Sequence, residues 1–108
     1  MNGWKNYETW VINLWLTNSS GDCDYMSEQA REALDAESGD KVTATHTLAG
    51  WLEGWHDERN PAGELDGPFA DLLNHALGCV DWYEIAQYVI DEEYADWCED
   101  NPQEEAAE

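Results

Sequence analysis

Apolar residues recur at three- and four-residue steps along most of the chain, the spacing that gathers side chains on one face of a helix. In YETWVINLWLTN, Trp10, Val11, Leu14 and Trp15 share a face. Asn6 stands where an N-cap belongs, and Glu8 falls in the first turn, where a carboxylate suits the helix dipole. VINLWL alone would also read as a buried strand; its length and the lack of a nearby pairing partner favour helix. The polar run at 18–22 should end this element. A second helix is expected over about 24–36, with Met26, Ala30, Ala33 and Leu34 inward, and S-G-D at 38–40 breaks the chain. A third, about 41–59, repeats Val42, Thr45, Ala49, Leu52 and Trp55, widened by Leu48 and Trp51 into the broad stripe a core-facing helix needs.

The N-P-A-G run at 60–63 begins a loop, and Pro68 suits the first position of a fourth helix whose apolar face is Phe69, Leu72, Leu73, Ala76 and Leu77. Gly78 can close it. Asp81 and Glu84 form a capping-box-like pair opening the last helix, with Trp82, Ile85, Ala86, Val89 and Ile90 inward. The pattern therefore predicts an all-α, compact single-domain bundle of about five helices over residues 1–100, followed by a short, disordered acidic tail at 101–108.

The 108 residues suffice for one modest core, and seven Trp and five Tyr give it large apolar side chains. Charge changes the picture. There are 25 acidic side chains against four basic ones, Lys5, Arg31, Lys41 and Arg59, for a net charge of −21. Residues 60–108 carry 14 carboxylates and no Lys or Arg. That balance argues against direct nucleic-acid binding and against anionic membrane surfaces, both of which need a basic footprint. No apolar run approaches the ~18 residues of a membrane span. Self-repulsion on this scale costs stability. A chain of this mass should expose roughly 6,100 Å², or about one net charge per 290 Å², against about one per 110 Å² for duplex DNA. Carboxylates gathered on one side would come close to the density of DNA.

Cys23, Cys79 and Cys98 form an odd set without CxxC spacing and read as free thiols of a cytoplasmic protein. His75 and Cys79 lie one helical turn apart, but zinc needs further ligands, and Cys98 and His46 are only notional ones. Asp35, Glu37 and Asp40 around Gly39 lack the calcium-loop register and read as a polar turn. No nucleophile elbow, phosphate-cradling glycine loop or HExxH occurs, so no enzyme, metal or cofactor is expected.

The acidic positions have the more informative spacing. The stretch DEEYADWCEDNPQEE at 91–105 holds eight carboxylates and no cation. On the last helix Glu84, Asp91, Glu92, Asp96, Glu99 and Asp100 fall largely off the Ile85–Val89 face, and Glu92, Asp96 and Glu99 step by four and three. Glu28, Glu32 and Asp35 repeat that spacing on the second helix. At 1.5 Å rise per residue such rows repeat about every 4.5–6 Å, comparable to the roughly 6–7 Å between phosphates of one DNA strand. Like charges at this spacing destabilise a helix, and a merely solvated helix usually intersperses Lys. Trp97 and Tyr94, set among these acids, are candidate apolar anchors for a partner, and an exposed Trp would also suit a homodimer.

N-Y-E-T-W at 6–10 followed by N-L-W-L at 13–16 resembles the opening of small acidic phage and plasmid proteins of unassigned function, and A-D-L-L-N-H-A-L at 70–77 and V-D-W-Y-E-I-A at 80–86 resemble their closing part. The resemblance covers most of residues 6–93. It implies a mobile element in a prokaryotic cytoplasm and supplies no catalytic residues; the Gly54–His56 run and the cysteines lie outside its motifs. In charge and setting the chain is also similar to DNA mimics that block restriction enzymes, CRISPR complexes or repair glycosylases. The expected function is thus inhibition of a DNA-binding defence or host protein, anti-restriction or anti-CRISPR in type, through occupation of its basic groove. The alternative is a small structural or regulatory phage or plasmid protein whose acidity is salt adaptation, with carboxylates spread evenly.

Overall fold

A computed structural model describes residues 3–102. Five helices follow one another without a strand among those residues: α1 (Tyr7–Asn18), α2 (Ser20–Ala36), α3 (Lys41–Glu58), α4 (Pro68–Gly78) and α5 (Trp82–Asp100), with one 3-10 turn, Pro61–Glu64, before α4. The all-α bundle expected from the periodicity is therefore present. Residues 103–108, most of the expected acidic tail, lie outside the described residues.

Each helix start has a local cause. The Asn6 side chain accepts from the Thr9 N–H at 2.9 Å, Asp40 from the Thr43 N–H at 3.3 Å, and Asp81 from the Glu84 N–H at 3.0 Å, each satisfying an otherwise orphaned donor. The break expected at 18–22 shrinks to one residue. Ser19 ends α1 by donating its N–H to the Trp15 carbonyl and caps α2 through its hydroxyl, which accepts from the Asp22 N–H. With that cap in place Ser20, Gly21 and Asp22 join α2, four residues ahead of the expected start.

The core lies among α2, α3 and α5. Met26, Ala30 and Leu34 of α2 meet Leu48 and Leu52 of α3 and Ile85, Val89 and Ile90 of α5, with Leu16 reaching in from α1. Each such large side chain contributes roughly 1.5–3 kcal/mol through burial. The α2–α3 corner depends on Gly39, which takes φ +85 and donates its N–H to the Leu34 carbonyl. A Cβ at this position would come within 2.7 Å of the Trp97 ring, so only glycine fits.

Several expected core positions are not in the core. Trp15 is 71% exposed, because Thr9 and Leu16 are the α1 residues that turn inward. Val42 is exposed at the start of α3. The apolar face of α4 is left open: none of its residues is buried, and Phe69 and Leu72 stay 68% and 65% exposed. The nearest packing partner of α4 is the 3-10 turn beside it.

A clasp ties this outer part to the rest. Thr9, fully buried, donates its hydroxyl to Asn6 Oδ1 and accepts from the Asp81 N–H at 2.8 Å. Asn6 Nδ2 donates to the Cys79 carbonyl at 2.8 Å, and the Lys5 N–H donates to Glu84 at 3.0 Å. The capping box expected of Asp81 and Glu84 is thus shared with the N-terminal segment. Thr9 satisfies the Asp81 N–H that Glu84 would otherwise reach, and Glu84 turns to Lys5. The N-Y-E-T-W and V-D-W-Y-E-I-A stretches meet at this clasp, so the residues that carry the resemblance hold the fold together.

Candidate acidic partner interface

Of the eleven candidate residues, eight carboxylates are exposed: Glu28, Glu32 and Asp35 on α2, and Asp91, Glu92, Asp96, Glu99 and Asp100 on α5. Glu84 is half-buried at the clasp. The two aromatic candidates behave differently from the expected anchors. Trp97 is only 5% exposed and donates its indole N–H to Asp35 Oδ1 at 2.6 Å. It is a core side chain and offers a partner no ring. Tyr94 is half-buried, parallel to Trp97 at 6.2 Å, and covered by the Lys41 ammonium at 4.7 Å. The physical cause lies in the step of seven from Ile90 to Trp97, which brings Trp97 back to the inward face of α5.

The α2–α5 seam arranges the acids. Arg31 of α2 reaches across to Glu93 at 3.8 Å and hydrogen-bonds Asp100. The Asp100 hydrogen bond raises the Arg31 pKa above its ordinary value, against some loss from burial, and the negative charges of Asp100, Glu93 and Asp96 add to it. Asp35, one turn from Arg31, is held by Trp97. The seam thereby positions Asp35, Glu93 and Asp100 by hydrogen bonds or ion pairs, with Asp96 beside them. Glu93 was not among the expected residues; its signal was an Arg on a neighbouring helix, which spacing along one helix does not reveal.

The other expected acids point elsewhere. Asp91 pairs with Lys41 Nζ at 2.9 Å on the α3 side. Lys41 sits in the first turn of α3, where the dipole disfavours a cation; Asp91 and the Tyr94 ring offset that. Glu92 accepts from the Tyr88 hydroxyl, and this bond is the main cause of the raised Tyr88 pKa. Glu32 lies on the α3 side of α2, in a cleft of about 190 Å³ that also borders Leu48 and Trp51. The eleven residues therefore form no single row. Asp35, Asp96 and Asp100 lie at the α2–α5 seam, while Glu32 and Asp91 lie on the α3 side and Glu84 at the clasp.

The aromatic residues of α3 gather against Tyr25 of α2. Trp51 and Trp55 stack at 4.9 Å, Tyr25 meets both edge-on, and Arg59 lies 4.0 Å over Trp55. All four basic side chains are thus engaged within the chain, Lys5 with Asp81 at 3.8 Å. The chemistry open to a metal is limited. His75 Nε2 and Cys79 Sγ approach to 3.6 Å, and no group of three ligating side chains forms among the described residues. Asp35 and Asp40 serve Trp97 and the α3 cap, and the three cysteines are unpaired and half-buried. No described helix is long and apolar enough to cross a membrane.

The family pattern matches residues 1–101, nearly the whole described fold. The chain belongs to DUF7249, a family of unknown function. No curated protein and no solved structure matches it. Membership in DUF7249 supplies no catalytic or binding residues, so the reading of the surface rests on its own geometry.

Proposed function

We propose that this protein is a non-enzymatic nucleic-acid mimic that inhibits a DNA-binding defence or host protein by occupying its basic groove. The observation that carries the reading is the unequal placement of charge. α2 and α5, 36 residues together, hold twelve carboxylates and one cation. α1 and α4, 23 residues together, hold two carboxylates, Glu8 and Asp71. The surface of 6769 Å² averages about 320 Å² per net charge, far sparser than DNA, so only a local concentration could imitate a duplex. The α2–α5 side offers one.

Asp35, Asp96 and Asp100, flanked by Glu28, Glu92 and Glu99, would take phosphate positions. Hydrogen bonds that fix several of these carboxylates lower the ordering cost of meeting fixed cations. Complementary charge would speed encounter and select basic partners. Salt adaptation calls for evenly spread acids, and the nearly uncharged α1 and α4 speak against that alternative. The setting suggested by the resemblance, a mobile element in a prokaryotic cytoplasm, suits an inhibitor of host defence.

The test is a pull-down from host extract over a salt series, with and without added duplex DNA. The proposal expects a DNA-binding protein that duplex DNA releases and that salt weakens. A bound protein indifferent to both, or no bound protein at low salt, would overturn it.

A further inference from the structure

The part of the surface poorest in charge is also the richest in exposed apolar side chains. Tyr7, Val11 and Trp15 step by four along α1 and so form one row. Tyr7 and Val11 face Leu73, Ala76 and Leu77 of α4 across a groove of about 240 Å³. On α4, Phe69 and Leu72 continue that second wall one turn toward its N-terminus. Trp15, Phe69, Leu72 and Tyr7 are 71%, 68%, 65% and 54% exposed, the four most exposed large side chains on these two helices.

We infer that this α1–α4 face is a homodimer interface, its occupant a second copy of the same chain. Two arguments select that occupant. The first is area. Aromatic side chains carry ~150–250 Å² each, so the exposed parts of the three rings alone amount to about 400 Å². Leu72 and the groove walls bring the patch to roughly 600 Å², the top of the range for the largest patch on a monomer. A two-fold pair would bury about 1,200 Å² in all, which reaches the lower bound of a specific interface. The second argument is charge. Two molecules of net −21 repel everywhere, but least where each helix contributes one carboxylate, Glu8 on α1 and Asp71 on α4. A basic partner has nothing to gain at this face, and a self-complementary apolar patch closes under two-fold symmetry. Dimerisation would also leave both α2–α5 seams exposed.

The salt dependence is opposite in sign to that of binding a basic partner. Salt screens the repulsion between copies beyond about 8–10 Å, so self-association should tighten as salt rises. The experiment is sedimentation equilibrium of the full chain at 50, 150 and 500 mM NaCl (probe conditions of about these values, bracketing physiological screening), with Trp15→Ser and Leu72→Ser alongside. Helix content by circular dichroism serves as the folding check. The inference expects a monomer–dimer equilibrium at least threefold tighter at the highest salt, and at least tenfold weaker in both variants with helix content unchanged. A monomer at every salt, a dimer that loosens with salt, or a dimer indifferent to both substitutions overturns it. None of these outcomes bears on the mimic proposal, which is read by partner release.

Discussion

The molecule has two regions built on different terms. In α2, α3 and α5, apolar faces close on one another while 12 of their 15 carboxylates stay exposed and none is buried. In α1 and α4, the apolar faces stay partly open and charge is nearly absent. The contrast shows where like charge can be carried. A tightly packed body can offset the self-repulsion of its surface through burial, and three of its contacts between helices place a cation or a Trp N–H against a carboxylate of α5 or α2. The α1–α4 edge has little burial to offset repulsion with and carries little charge.

Substitution can break that contrast directly. Ile90→Ala, inside the body and fully buried, should cost about 2–5 kcal/mol, whereas Leu72→Ala on the open face of α4, measured at concentrations where the chain is monomeric, should stay within about 0.5 kcal/mol. Urea unfolding of the two variants side by side checks the pair, and equal costs would mean that the edge is as well packed as the body. A smaller effect is expected where the regions are clasped. Thr9→Val keeps the shape but removes the hydroxyl that accepts from the half-buried Asp81 N–H and donates to Asn6, a loss of about 1–3 kcal/mol by the same measurement. Retained stability in that variant would show the clasp to be dispensable.

The smallest effect lies at the α3–α5 contact. His56 is packed against Trp82 and hydrogen-bonds the Leu52 carbonyl through Nδ1 at 2.8 Å. Burial lowers its pKa below the ordinary 6.5, the Leu52 hydrogen bond opposes that, and Arg59 adds to it. Below 6.5 the unfolded chain therefore binds more protons at this site than the folded one. The His56 contribution to stability should fall as pH drops from about 6.5 to the folded value and level off beneath it. The difference in unfolding free energy between the native chain and His56→Gln, followed from pH 7.5 downward, isolates this slope from the carboxylates. No pH dependence in that difference would place His56 in water.

Helix type and order were legible in the sequence because start signals and periodicity agree at Asn6, Pro68 and Asp81, whereas the Asp40 cap of α3 was legible only as a chain break. The faces of α1 were not. It is apolar nearly all round, and only contact with α2 and α5 decides that Thr9 and Leu16 turn inward while Trp15 turns out. Trp97 shows the converse. Its acidic neighbours suggested a surface, yet Gly39 and Asp35, about sixty residues earlier in the chain, form the place it fills. The carboxylate rows were visible along each helix. Their convergence was not, because Arg31 acts between helices and draws Glu93 and Asp100 together across the seam.

The central claim is that the place of the charge matters and not only its amount. It is tested by two double variants with the same change in net charge, Asp96→Asn with Glu99→Gln on α5 and Glu8→Gln with Asp71→Asn on the α1–α4 edge. Each is assayed for retention of the DNA-releasable partner at low salt. The α5 pair should weaken retention by about tenfold, near 1.4 kcal/mol, and the edge pair by less than about twofold. Equal weakening by both would contradict the claim and leave total charge as the only determinant.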